Sequence, residues 1–254
     1  MTKNLRAAGR LLRALLHIMG GLFTIYTRFS RLDSTQRFDC IQAWSNQLLR
    51  IIGISVKLHG TPPTHGPLLL VCNHISWLDI SVLHAVCRCR FVSKADVKHW
   101  PVIGRLAVGG DTLFIERDSR RAAMRVVHHV AEALRDGDMV AVFPEGTTGY
   151  GEDLLPFHAN LIQAAISSDA PVQPLALRFT ATSGEHTRVP SYVGDDTLLA
   201  SLWRTLRADA LVANVWVGTA QQSEGRDRRA WAHALREDVA VLRGVYSISR
   251  SIGD

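Results

Sequence analysis

The chain has 254 residues, 47% of them hydrophobic, which is enough to bury one substantial core, and its formal net charge is +6. Its four cysteines, Cys40, Cys72, Cys87 and Cys89, form no C-x-x-C pair and no Cys/His cluster at zinc spacing, which excludes a disulfide framework and a structural zinc site and leaves reduced thiols facing the cytosol. Residues 1–60 carry +7 and the remainder −1, so the basicity belongs to the N-terminal segment alone and calls for no nucleic-acid partner.

In residues 3–28 the polar or small positions Lys3, Arg6, Arg10, Arg13, His17, Gly20 or Gly21, Thr24 and Arg28 recur at steps of three or four, one stripe of a helix. The rest of that helix is apolar, including Leu5, Leu12, Leu15, Leu16, Met19, Phe23 and Tyr26. The uncharged stretch 14–27 is shorter than the ~20 residues that cross a bilayer, so the expectation is a helix lying in the interface with its basic stripe on anionic lipid. The competing reading is a helix packed on the domain's own core. Arg13, His17 and Arg28 interrupt any secretory signal, so no export is expected. A second helix is predicted over 34–52, with Phe38, Ile41, Trp44, Leu48 and Ile52 on one face. The division that follows is a membrane-docking helical hairpin over 1–52 and a catalytic domain over 53–254.

From residue 54 short apolar runs alternate with helical periodicity, the pattern of an α/β domain whose mostly parallel central sheet is flanked by helices. Strands are predicted over 54–58, 68–72, 90–93, 112–115, 139–143, 172–178 and 211–218. Helices are predicted over 77–86, 96–108, 120–135, 159–167, 198–208 and 228–242. Thr61-Pro62-Pro63, Gly109-Gly110, Gly137-Asp138 and Gly149-Tyr150-Gly151 punctuate the pattern.

The chemistry is concentrated where predicted strands end. After the run Leu68–Cys72 comes Asn73-His74-Ile75-Ser76-Trp77-Leu78-Asp79. In an α/β protein the carboxyl end of a strand is where sites are built. If a helix starts near Ser76, Asp79 lies a turn in and reaches back to His74, fixing the imidazole tautomer and leaving one nitrogen to accept a proton. No serine nucleophile accompanies the pair, so the base would activate a hydroxyl of the substrate or a water. A Cys72–His74 dyad is the alternative, although Cys72 belongs to an apolar strand.

A second loop, Phe143-Pro144-Glu145-Gly146-Thr147, follows the apolar run 139–142, and Pro144 and Gly146 shape a turn that lets backbone approach a ligand. It also reads as a helix-entry turn capped by Thr147 or Thr148. Thr112–Arg117 is a third strand end. Arg117 suits bidentate capture of a phosphate, or a surface ion pair with Glu116 or Asp118. A fourth run, Pro171–Leu177, is scaffold along the same crevice.

Asn73-His74 with Asp79, Phe114-Ile115-Glu116-Arg117, Phe143-Pro144-Glu145-Gly146-Thr147 and Val172-Gln173-Pro174 together resemble the four ordered blocks of the 1-acylglycerol-3-phosphate acyltransferase family. The resemblance implies transfer of a fatty acyl group from acyl-coenzyme A or acyl-carrier protein to the free hydroxyl of 1-acylglycerol-3-phosphate, giving phosphatidic acid. It implies His74 and Asp79 as the catalytic pair and Asn73, Arg117, Glu145, Gly146 and Thr147 as substrate contacts. It calls for no metal and no cofactor beyond the acyl thioester. It also places the protein on the cytosolic face of the inner membrane, monotopic, with its N-terminal element docked on an anionic surface. Three positions depart from the family pattern: Asp111 stands where a glycine is usual, Glu116 where an aspartate is, and Thr148-Gly149 where Arg-Ser often follows. These departures bear on the acceptor; the alternatives are acylation of another lysolipid, lyso-ornithine lipid or another lysophospholipid, and a lipid-binding relative without turnover.

Overall fold

The structure is a computed structural model that describes residues 3–115 and 120–244. Its centre is strand β2, Leu68–Cys72, all five of whose side chains are buried, as a strand covered on both faces requires. It pairs in parallel with β5, Met139–Val142, and with β6, Val172–Ala181. Beyond β5 lie β3, Arg90–Lys94, and β4, Leu113–Ile115, again parallel. The other edge reverses: β7, Leu211–Val217, runs antiparallel to β6, and β1, Ile54–His59, runs with β7. The order is β1-β7-β6-β2-β5-β3-β4, so five strands end on one edge of the sheet and two on the opposite edge.

The expected mostly parallel α/β domain is therefore the fold found, and alternation along the strands divides its core. Leu68, Leu70 and Cys72 face a cluster that holds Leu48, Leu49 and Ile52 of α2 (Ser34–Ile52), Leu78 and Val82 of α3 (Leu78–Val86) and Leu206 of α7 (Leu198–Arg207). Leu69 and Val71 face a second cluster. There Val130 and Leu134 of α5 (Arg120–Arg135), Ile162 of α6 (Ile162–Ser168) and Trp231 and Leu235 of α8 (Arg228–Leu242) close the other side. Since α2 buries its apolar face in the same cluster as the sheet, and Ala7 and Ala14 of the preceding helix join that cluster, both helices of the hairpin are packed on the domain.

The helix predicted over 96–108 is broken. Residues 95–99 form a 3₁₀ turn, Trp100-Pro101-Val102 intervenes, and α4 spans Ile103–Gly109. Pro101 supplies no N–H to a helix that would pass through it, and Val102 sits at φ +67, a strained conformation for a β-branched residue.

Helix α1, Lys3–Thr27, lies outermost and is long and apolar enough to cross a membrane by length and composition. It packs on α2 through Gly21, where an added Cβ would stand 2.5 Å from Nε1 of Trp44. That indole donates to the His17 carbonyl at 3.2 Å, and the His17 ring stacks on it.

The orientation of α1 corrects the electrostatic part of the sequence reading. Arg6 donates to Asp209 (2.8 Å) and to the Arg207 and Ala208 carbonyls, Arg10 donates to the Leu206 and Ala208 carbonyls, and Lys3 lies 3.8 Å from Asp209. Thus Arg6 and Arg10 face the C-terminal end of α7, whose unpaired carbonyls carry partial negative charge, and Lys3 faces Asp209 just beyond it. Arg13 donates to the carbonyl of Gly9 and stays exposed. The face turned to solvent is the apolar one: Leu5, Leu12, Leu15, Leu16, Met19, Phe23 and Tyr26 are each more than half exposed.

Candidate active site

The two polar loops meet at the shared carboxyl edge of β2, β5 and β6. The chain leaves β2 at Cys72 and enters α3 within six residues, so the intervening loop is short and its backbone groups need partners. Asp79, in the first turn of α3 and fully buried, supplies them: its Oδ2 accepts from Ile75 N at 2.6 Å and Ser76 N at 2.8 Å. The same oxygen accepts from Nδ1 of His74 at 2.7 Å. Because a carboxylate only accepts, Nδ1 carries the proton and Nε2 is left with a lone pair. The imidazole stacks on Phe143, centroids 4.1 Å apart, with one-fifth of its side chain exposed. One carboxylate thus sets loop shape, tautomer and ring position together.

The second loop is fastened to the first. Glu145 Oε1 accepts from the backbone N–H of His74 at 3.0 Å and Oε2 from that of Leu155 at 3.2 Å, while Gly149 N donates to the His74 carbonyl at 2.9 Å. Burial pushes the Glu145 carboxyl up to about 7, against the pull of those two amides and of the Arg243 guanidinium. Gly146 holds φ +71, and a Cβ there would stand 3.0 Å from the ring of His158. The left-handed φ favours glycine here, and a side chain would also crowd that ring. Thr147 is exposed on the rim, and Thr148 gives its hydroxyl hydrogen to the Tyr192 carbonyl.

Asn73 has a different part from the substrate contact expected of it. Its Nδ2 donates to the Leu177 carbonyl at 3.0 Å and its Oδ1 accepts from the Leu177 N–H at 2.8 Å, so this buried amide ties the loop to β6. Cys72 is fully buried, and burial raises its thiol well above the ordinary range, with the Asp79 and Glu145 charges adding to the rise. That removes the thiolate a Cys72–His74 dyad would need. Asp111 sits at φ +50, the left-handed region, which gives a physical reason for a glycine at this position in the resembled pattern and for an aspartate as its substitute. Glu116 and Arg117 lie outside the described residues. Among the described residues no three His, Cys, Asp or Glu side chains are gathered as for a metal ion.

The site also rests on a residue that no motif pointed to. Arg243, which caps α8, is buried, and its Nη2 donates to the carbonyls of Gly151 and Glu152 (3.1 Å), in the segment that continues from the second loop. In the sequence it is one more arginine ending an amphipathic helix, and no spacing distinguishes it.

Comparison with known proteins gives concordant relationships. The family model described as Acyltransferase matches residues 54–178. A lyso-ornithine lipid O-acyltransferase of Rhizobium meliloti (strain 1021) is 36% identical over 213 residues, covering 79% of this chain and 70% of its own. A 1-acyl-sn-glycerol-3-phosphate acyltransferase of Neisseria meningitidis is 37% identical over 197 residues, 77% of each chain. The crystal structure of the 1-acyl-sn-glycerophosphate acyltransferase of Thermotoga maritima has the same fold, with a TM-score of 0.66, 15% identity, and coverage of 96% of this chain and 97% of its own.

Proposed function

This chain belongs to the 1-acylglycerol-3-phosphate acyltransferase family, and from that premise we propose a direct acyl transfer in which His74 is the general base. Nε2 takes the proton of the acceptor's free hydroxyl as that oxygen attacks the carbonyl carbon of an acyl thioester. The carbon–sulfur bond then breaks, and the leaving thiolate recovers the proton from the imidazolium. A thiol with a pKa of about 8.5 leaves without strong acid assistance. Asp79 steadies the imidazolium through Nδ1 and keeps Nε2 aimed at the crevice. The observation that carries this reading is the 2.7 Å Nδ1–Oδ2 contact beside a thiol too deeply buried to serve as nucleophile.

The donor is acyl-coenzyme A or acyl-carrier protein, and the acceptor is 1-acylglycerol-3-phosphate, with Arg117 on the phosphate and Gly146 and Thr147 at the rim. A second reading, acylation of lyso-ornithine lipid, is supported by the relatives of that name at 36% and 35% identity. The side chain of Thr148, where an arginine often follows the second loop, supports it too, since it is bound to Tyr192 and offers no cation. The enzyme works at the cytosolic face of the inner membrane. Helix α1 lies in the interface there, because it is packed along its length on α7, α2 and α4, and a spanning α1 would draw the domain into the bilayer.

The test is acyl transfer by the purified protein in detergent against a panel of lysolipids. Phosphatidic acid formation is expected to be fastest. Arg117→Ala is expected to raise KM for the phosphate-bearing acceptor alone, by about tenfold. Faster acylation of lyso-ornithine lipid would move the assignment to the second reading. Absence of transfer to any acceptor would sink both.

A further inference from the structure

Arg243 is 3% exposed, and while Nη2 holds the Gly151 and Glu152 carbonyls, Nε and Nη1 have no hydrogen-bond partner among the described residues. A buried guanidinium stays charged, and a counter-charge nearby offsets the cost of holding it out of water. The carboxylates near it are Glu145 and Asp153, and Arg178 of β6 opposes them. Glu145 in turn is faced by His74 from the β2–α3 loop, Arg243 from α8 and Cys72 from β2, with the ring of His158 beneath the adjoining Gly146. The segment that Arg243 grips lies on the catalytic loop: a Cβ on Gly151 would stand 2.8 Å from Cδ1 of Ile75, and Gly149 N donates to the His74 carbonyl.

We infer that Arg243 is a positioning residue for acyl transfer, a statement that rests on the proposed role of His74: it clamps the segment 149–152 onto the catalytic loop and is a buried counter-charge that favours the ionised form of Glu145 against the effect of burial. The ionised form matters because both Glu145 oxygens face N–H donors, those of His74 and Leu155. A protonated carboxyl must turn a hydroxyl toward one of them and lose that bond. Arg243 therefore acts on the backbone that carries the base, 71 residues from Glu145 in sequence, without touching the reacting atoms.

The experiment measures kcat and KM against pH for wild type, Arg243→Met, Arg243→Lys, Glu145→Gln and the Met/Gln double variant, with His74→Ala as the control for the underlying mechanism. Arg243→Met is expected to lower kcat at pH 7 about tenfold and to move the acid limb of its pH profile upward by roughly one unit, with the lysolipid KM changed less than about twofold. Arg243→Lys keeps the charge and loses the fork, so its limb stays at the wild-type position while part of the rate is lost. In the Glu145→Gln background Arg243→Met is expected to move the limb no further. A limb that stays put in Arg243→Met, with only the melting temperature lowered, would reduce Arg243 to a stabilising contact and overturn the inference. An equal limb shift in the Gln background would overturn it too, since the arginine would then act on His74 directly. If Arg243→Met does not fold, a limb displaced upward in Arg243→Lys, which retains the charge, overturns it as well. An active His74→Ala enzyme would remove the mechanism itself and not this inference alone.

Discussion

The loop that carries His74 and the helix that carries the basic stripe are both short, local sequence signals, and the fold treats them in opposite ways. Around His74, the imidazole, the loop amides and the Glu145 carboxylate are held from several directions by β6, α3 and the second loop. Helix α1 is held by polar contacts on one side only and leaves a row of large apolar side chains uncovered. The difference is one of information. A base and its orienter five residues apart define their own geometry once a helix starts between them, whereas an amphipathic stripe says that a helix has two faces and not which partner each face meets.

The largest expected effect tests the over-determined side of that contrast. His74→Ala is expected to reduce transfer by about 10³-fold or more, and Asp79→Asn by about 10²-fold with the acceptor KM within a factor of two, because Asp79 orients the base and does not reach lipid. A steady-state assay of His74→Ala with turnover near that of wild type would falsify the mechanism.

An intermediate effect is expected at α1, where the two faces can be separated. Replacing Leu12, Leu16 and Phe23 by Gln removes apolar contacts at about 1 kcal/mol or more each for partly immersed side chains, so vesicle binding is expected to fall about a hundredfold, with little dependence on salt. Replacing Arg6 and Arg10 by Gln is expected to lower the melting temperature while vesicle affinity stays within a few-fold, since these cations bind α7 and Asp209. Co-sedimentation at two salt concentrations reads both. A large, salt-sensitive loss in the arginine variant alone would mean that the basic stripe meets the lipid.

The smallest expected effect concerns how dry the catalytic half is. Burial drives the imidazole of His84, on α3, down to about 4, whereas it drives the Glu145 carboxyl up to about 7. As pH falls from 6.5 toward 4, the unfolded chain takes up a proton at residue 84 that the folded chain refuses, so His84 makes acidification destabilising. Glu145 does the reverse between 7 and 4.5, where the folded chain holds the extra proton and stability is lost as pH rises. The two slopes, each about 1.4 kcal/mol per pH unit, oppose each other in the shared window. Urea titrations between pH 5 and 6.5 are expected to show His84→Gln gaining stability on acidification relative to wild type by about that slope. Parallel pH dependences would mean that water reaches His84.

The strands and the two polar loops were legible because buried strands read as unbroken apolar runs and the loops follow them directly. Three features were not legible. The break at Trp100–Val102 hides in a pattern whose periodicity continues across Pro101. The reversal of β7 against β6 changes no side-chain alternation. Asn73 reads as a loop polar residue, and its use as a brace depends on Leu177, which lies 104 residues away.

That brace also fixes when the enzyme comes into being on the ribosome. By the time residue 79 has been made, the proposed base and its orienter have both been added to the chain, yet the loop that holds them has no floor. Its partners arrive with Glu145 and then with Leu177, whose backbone closes both arms of the Asn73 amide. At ordinary elongation rates that interval is on the order of ten seconds. A nascent chain therefore carries His74 and Asp79 for much of its synthesis without the brace that fixes their loop, which closes only once β6 has emerged and docked beside β2.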